Sequence, residues 1–97
     1  MRIRYTRKAL VQLDAILQFV HEQSPRGAMK IKRSIVSSIS RLTRFPYSCR
    51  ETEYPGIRLL SITKYRYLVF YAVDDAKQEV QILRIRHSSQ DPSRHLD

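Results

Sequence analysis

The sequence predicts an α+β domain in which a helical hairpin packs on one face of a small, mainly antiparallel sheet, in the order β-α-α-β-β-β. Two observations predict it. Apolar residues recur at helical spacing between Arg7 and Phe45. Beyond Gly56 the pattern changes to alternation, in segments rich in β-branched and aromatic residues. The 97 residues suffice for one core and not for two, so 1–97 is expected to be a single domain ending in a polar tail over 88–97.

The elements follow in order. Arg2 to Tyr5 alternates charged with apolar, as a short half-buried edge strand does. Thr6 can cap the next segment, where Leu10, Leu13, Ile16, Leu17 and Val20 mark a helix over Arg7–Gln23. Ser24-Pro25 supplies an N-cap and a proline at the first helical position, so a second helix begins there. Its apolar stripe is Ala28, Ile31, Ile35, Ile39 and Leu42, closed by Phe45-Pro46. Nearly opposite run Arg26, Lys30, Arg33, Arg41 and Arg44, a row that reads most simply as a solvated helix face. Tyr47 to Gly56 forms a loop with Pro55-Gly56 as its turn. Strands are expected over Ile57–Thr63, Tyr65–Val73 and Glu79–His87, the last two joined through Asp74–Lys77.

Composition narrows the function classes. Eighteen Lys+Arg against nine Asp+Glu give a net charge of +9. Such a field attracts nucleic acid, acidic proteins or anionic lipid without choosing among them. The single cysteine, Cys49, excludes a disulfide framework and a multi-cysteine zinc site. The acidic residues are scattered, so no metal or other cofactor is expected. With glycine only at 27 and 56, a phosphate-cradling loop is excluded. No apolar run approaches the ~18 residues of a membrane span, and the charged start Met1-Arg2-Ile3-Arg4-Tyr5 is unlike a signal peptide; a cytoplasmic protein is expected.

Alternation assigns the sheet faces. In the middle strand Arg66, Leu68, Phe70 and Ala72 point one way, and Tyr65, Tyr67, Val69, Tyr71 and Val73 the other. In the last strand Val80, Ile82, Arg84 and Arg86 share a face opposite Leu83, Ile85 and His87. Both faces are apolar, and one helical layer covers one of them. The expectation is an exposed floor of Leu68, Phe70, Val80 and Ile82, edged by Arg58, Arg66, Arg84 and Arg86. It would receive an acidic amphipathic partner, with self-association through the same face as the alternative. The tyrosines fall on the core side, which argues against a base-stacking platform. His87 lies opposite Arg84 and Arg86, which favours a packed residue over a catalyst.

An ordered set of short motifs adds to this reading. Ala9, Leu13-Asp14 and Ile16 mark the first helix; Pro25, Ala28, Ile39, Leu42 and Phe45-Pro46 mark the second. Gly56-Ile57-Arg58 precedes the sheet, followed by Leu68-Val69-Phe70-Tyr71-Ala72-Val73, Ile82-Leu83-Arg84-Ile85-Arg86-His87 and a tail with Asp91, His95 and Leu96. Together they resemble the ParE toxins of the RelE/ParE superfamily, the toxic half of type II toxin–antitoxin pairs. The resemblance implies a non-enzymatic inhibitor of DNA gyrase that stalls it on cleaved DNA. It also implies a ParD-like antitoxin whose C-terminal segment covers the arginine-edged face. The assembly would be a hetero-oligomer with antitoxin, a toxin dimer being a further option. Three departures stand out. Cys49 occupies a position where relatives often have glycine, which would strain it if the loop needs a positive φ. Ser88, Ser89 and Gln90 stand where Gly-Arg or Ala-Arg is common. Leu68 and Ser88 align with the catalytic arginine and the histidine or arginine of RelE-like ribonucleases, Arg66 being a shifted candidate for the first. A RelE-like ribosome-dependent mRNA endonuclease and a non-toxic binding relative are the alternatives.

Overall fold

A computed structural model describes residues 1–90. The expectations placed on Asp91, His95, Leu96 and the rest of residues 91–97 lie outside the described residues. The elements are β1 (Arg2–Tyr5), α1 (Arg7–Gln23), α2 (Pro25–Ser40), a 3-10 turn (Arg41–Thr43), β2 (Arg58–Ile62), β3 (Tyr67–Asp74), β4 (Glu79–His87) and a last 3-10 turn (Ser88–Gln90). Their order matches the sequence reading. The strands form one sheet in the order β1-β4-β3-β2, with β1 parallel to β4 and the other pairs antiparallel.

Local chemistry sets the joints. The Thr6 hydroxyl accepts from the Ala9 N–H at 3.2 Å and donates to the Ile82 carbonyl at 2.8 Å, so one residue caps α1 and bolts it to β4. The Ser24 hydroxyl accepts from the Gly27 N–H at 2.9 Å, capping α2 one residue after α1 ends. Leu13, Ile35, Ile39 and Leu42 then bury against Val69, Tyr71, Val80, Ile82 and Ile85. No described helix is long and apolar enough to cross a membrane.

β4 departs from simple alternation, and this corrects the predicted faces. Phe70 pairs with Arg84 but Tyr71 pairs with Ile82, so Leu83 is the extra residue of a β-bulge. The bulge reverses parity along β4. Val80 and Ile82 join Tyr71 and Val73 beneath the helices, both fully buried. Of the four β4 residues assigned to the second face, only Arg84 and Arg86 share it with Phe70 and Leu68. A neighbour and the start of the chain together satisfy the bulge: the Leu83 carbonyl accepts from Arg84 Nη1 at 3.0 Å and lies 3.4 Å from the Thr6 hydroxyl. The Ile85 N–H donates to Gln12 Oε1 at 2.8 Å. β1 ends at Tyr5, and α1 side chains take over where its backbone stops.

The exposed floor is also corrected. Leu68 and Phe70 are 4% and 0% exposed within the single chain. They lie in register between Leu59 and Ser61 of β2 and the half-buried Arg84 and Arg86 of β4. Long arginine side chains shelter apolar neighbours with their methylene stems while keeping the charged head toward water. One helical layer covers one face, as expected, but the second face is not left bare.

Candidate partner-binding site

An apolar groove opens beside α1. A groove of about 680 Å³ runs between Gln12, Ala15, Ile16, Phe19 and Val20 of α1 and the ends of β3 and β4, at Tyr67, Ile85, Arg86, His87 and Ser89. Phe19 is 65% exposed on its rim. The sequence reading missed it because Phe19 falls outside the stripe that faces the sheet. The available signal was its spacing: three residues after Ile16, it widens the apolar stripe to one flank.

The groove gains its polar end from the sheet terminus. His87 packs edge-on against Tyr67, with ring centroids 5.1 Å apart and planes at 85°. Its Nδ1 accepts from the Ser89 N–H at 3.2 Å and lies 2.7 Å from the Ser89 hydroxyl. An accepting Nδ1 places the ring proton on Nε2. Burial pushes the Tyr67 phenol up from its ordinary pKa, so it stays a neutral donor. Arg66 is exposed in the turn before β3 with φ of 63°, and its carbonyl accepts from the Ser88 N–H at 2.7 Å. Arg66, Arg86 and His87 thus gather at one end of the sheet, with Arg84 two residues farther along β4.

Arg58 is not part of that group. It sits in register with Tyr71, on the helix side of β2. Its guanidinium donates to the Cys49 carbonyl at 2.5 Å, lies 3.6 Å from Glu51 Oε1 and covers the Tyr47 ring at 4.9 Å. The Tyr47 hydroxyl reaches Asp75, and the Tyr71 hydroxyl donates to the Pro46 carbonyl at 2.9 Å. Arg58 therefore already holds a carboxylate and staples the 45–51 loop to the sheet. Cys49 within that loop is not among the described positive-φ residues, so the anticipated strain is not there.

At the opposite end of β4, Glu79 binds Arg4 at 3.0 Å and Arg2 at 3.6 Å, and accepts from Gln81 Nε2 at 3.0 Å. The Gln81 amide and then the Arg4 guanidinium hold its carboxyl below the usual range. Among the described residues no three His, Cys, Asp or Glu side chains converge as metal ligands. Leu68, aligned above with a catalytic arginine, is sealed from water. The assembled features suit the capture of an amphipathic polypeptide: an apolar trough, an exposed aromatic rim and cations at one end.

A family model described as "ParE toxin of type II toxin-antitoxin system, parDE" matches residues 3–92. The chain belongs to the ParE toxin family. It is 28% identical over 89 residues to "Putative toxin Y4kP" of Sinorhizobium fredii (strain NBRC 101917 / NGR234), covering 92% of this chain and 90% of that one. Among solved structures it is similar to the chromosomal ParDE TA system from P. aeruginosa, with 31% identity, a TM-score of 0.77, and 90% of this chain and 95% of the other covered. The toxin–antitoxin complex RelBE2 from Mycobacterium tuberculosis shares the fold at 22% identity and a TM-score of 0.59, over 89% and 95% of the two chains. This ParE-family toxin thus carries the architecture common to both: two helices packed on a four-strand mixed sheet.

Proposed function

We propose that this toxin inhibits DNA gyrase by binding rather than by catalysis, and that a ParD-like antitoxin neutralises it. The observation that carries this reading is the ParE family match across residues 3–92, supported by the 31% likeness to a ParDE system. The antitoxin segment is acidic and amphipathic. Its apolar residues enter the trough beside Phe19, Ile16 and Ile85, and its carboxylates meet Arg66, Arg84 and Arg86. Leu68, Phe70, Val80 and Ile82 act beneath that surface as its rigid support, and Arg58 as the loop staple. The assembly is a toxin–antitoxin hetero-oligomer that works in the cytoplasm, where gyrase meets DNA. A ribonucleolytic reading is disfavoured by the burial of Leu68, which stands at the position aligned with a catalytic arginine. Purified toxin added to a gyrase supercoiling assay is expected to block supercoiling and accumulate cleaved DNA. Cleavage of ribosome-bound transcripts with supercoiling untouched would replace this reading with the ribonucleolytic one, and neither effect would leave a non-toxic relative.

A further inference from the structure

One helix face carries a continuous row of positive charge. Between Glu22 and Glu51 the chain holds seven Lys or Arg and no Asp or Glu. Arg26, Lys30, Arg33 and Ser37 lie within about 60° of one another around α2, and Arg41 and Arg44 continue the row through the 3-10 turn. All six are exposed, diametrically opposite the buried Ala28, Ile35 and Ile39. Among the described residues, ion pairs join Arg2 and Arg4 to Glu79 and Arg58 to Glu51, and none involves α2. Among the described residues no carboxylate is paired with the row, and its cations are exposed.

We propose that this face of α2 binds the phosphate backbone of duplex DNA without regard to sequence. From Arg26 to Arg41 the row spans about 22 Å of helix, or roughly six base-pair steps of duplex. Ser37 lies between Arg33 and Arg41; its short side chain lets a phosphate reach both guanidiniums and adds a hydroxyl donor. The row carries no Asn, Gln or aromatic residue to read a base edge, which makes the contact one of charge and position. Apolar groups flank it rather than line it: Met29 and Val36 lie to one side, and Phe45 packs against Arg44 at its far end, so an acidic amphipathic peptide fits its length poorly. No α2 residue lines the groove beside Phe19, so the two surfaces are separate.

Fluorescence anisotropy on a labelled duplex of about 20 base pairs, over about 50–200 mM salt, tests this. Wild type should lose affinity with a log–log slope of about −4, as five cations imply. R33Q/R41Q should make the slope shallower by about two and weaken binding at least about tenfold at ~100 mM salt, for any sequence. K8Q/K77Q removes the same charge from exposed sites off the row and should change affinity by less than about twofold. Equal losses from the two pairs, no binding at ~50 mM salt, or polyglutamate bound as tightly as the duplex would each overturn the assignment. The assay contains neither gyrase nor antitoxin, so its failure leaves the preceding proposal standing.

Discussion

Arg58 carries three contacts that tie the 45–51 loop to the sheet, and its side chain is only 19% exposed. Replacing it with glutamine strands the Cys49 carbonyl and the Tyr47 ring, and should cost about 1–3 kcal/mol in urea unfolding. Glu51→Gln, which removes only the half-exposed partner, should cost less than about 1 kcal/mol. Equal losses would mean that the ion pair, not the carbonyl contact, is the staple. Glu79 makes a pH prediction. Its folded-state pKa lies below the ordinary value of 4.5, so its contribution is complete above that value and is lost as pH falls through the lower, folded one. Stability measured by denaturation from pH 6 downward should therefore fall less steeply in Glu79→Gln than in wild type. At Arg66 the φ of 63° is a conformation that a residue with a Cβ adopts at a cost. Arg66→Gly should raise stability by about 0.5–1 kcal/mol.

At the scale of elements, most of the fold was legible because its signals are local. The caps at Thr6 and Ser24, the stripe through Ile35 and Ile39, and the alternation along β3 are each written within a few residues. The register of β4 was not. Its bulge is held by Thr6 and Gln12, more than seventy residues away in sequence, and no pattern within Glu79–His87 announces it. That one inserted residue moved Val80 and Ile82 from the predicted floor into the core. The burial of Leu68 and Phe70 was hidden for a related reason: alternation tells which face a residue occupies, not what its cross-strand neighbours cover. Gln12→Ala should therefore leave α1 intact yet speed amide exchange at Ile85, the N–H it receives. Unchanged exchange there would show that the bulge holds itself.

For the whole molecule, the second face of the sheet holds Leu68 and Phe70 buried, and an apolar groove with an exposed rim lies instead on the flank of α1. In the proposed antitoxin site the cations are Arg66, Arg84 and Arg86, and the apolar part is Phe19 with its neighbours. Phe19 is mostly solvent-exposed, so Phe19→Ser should alter folding stability by no more than about 0.5 kcal/mol. Buried against an antitoxin, the same ring is worth about 1.5–3 kcal/mol of apolar transfer, or at least tenfold in affinity. Supercoiling by gyrase, inhibited by the toxin and titrated with its antitoxin, tests both halves of the account at once. Wild type should inhibit and be reversed near equimolar antitoxin, while Phe19→Ser should inhibit equally and require at least about tenfold more antitoxin. Absence of inhibition by wild type, or reversal of both proteins at the same antitoxin concentration, would contradict it.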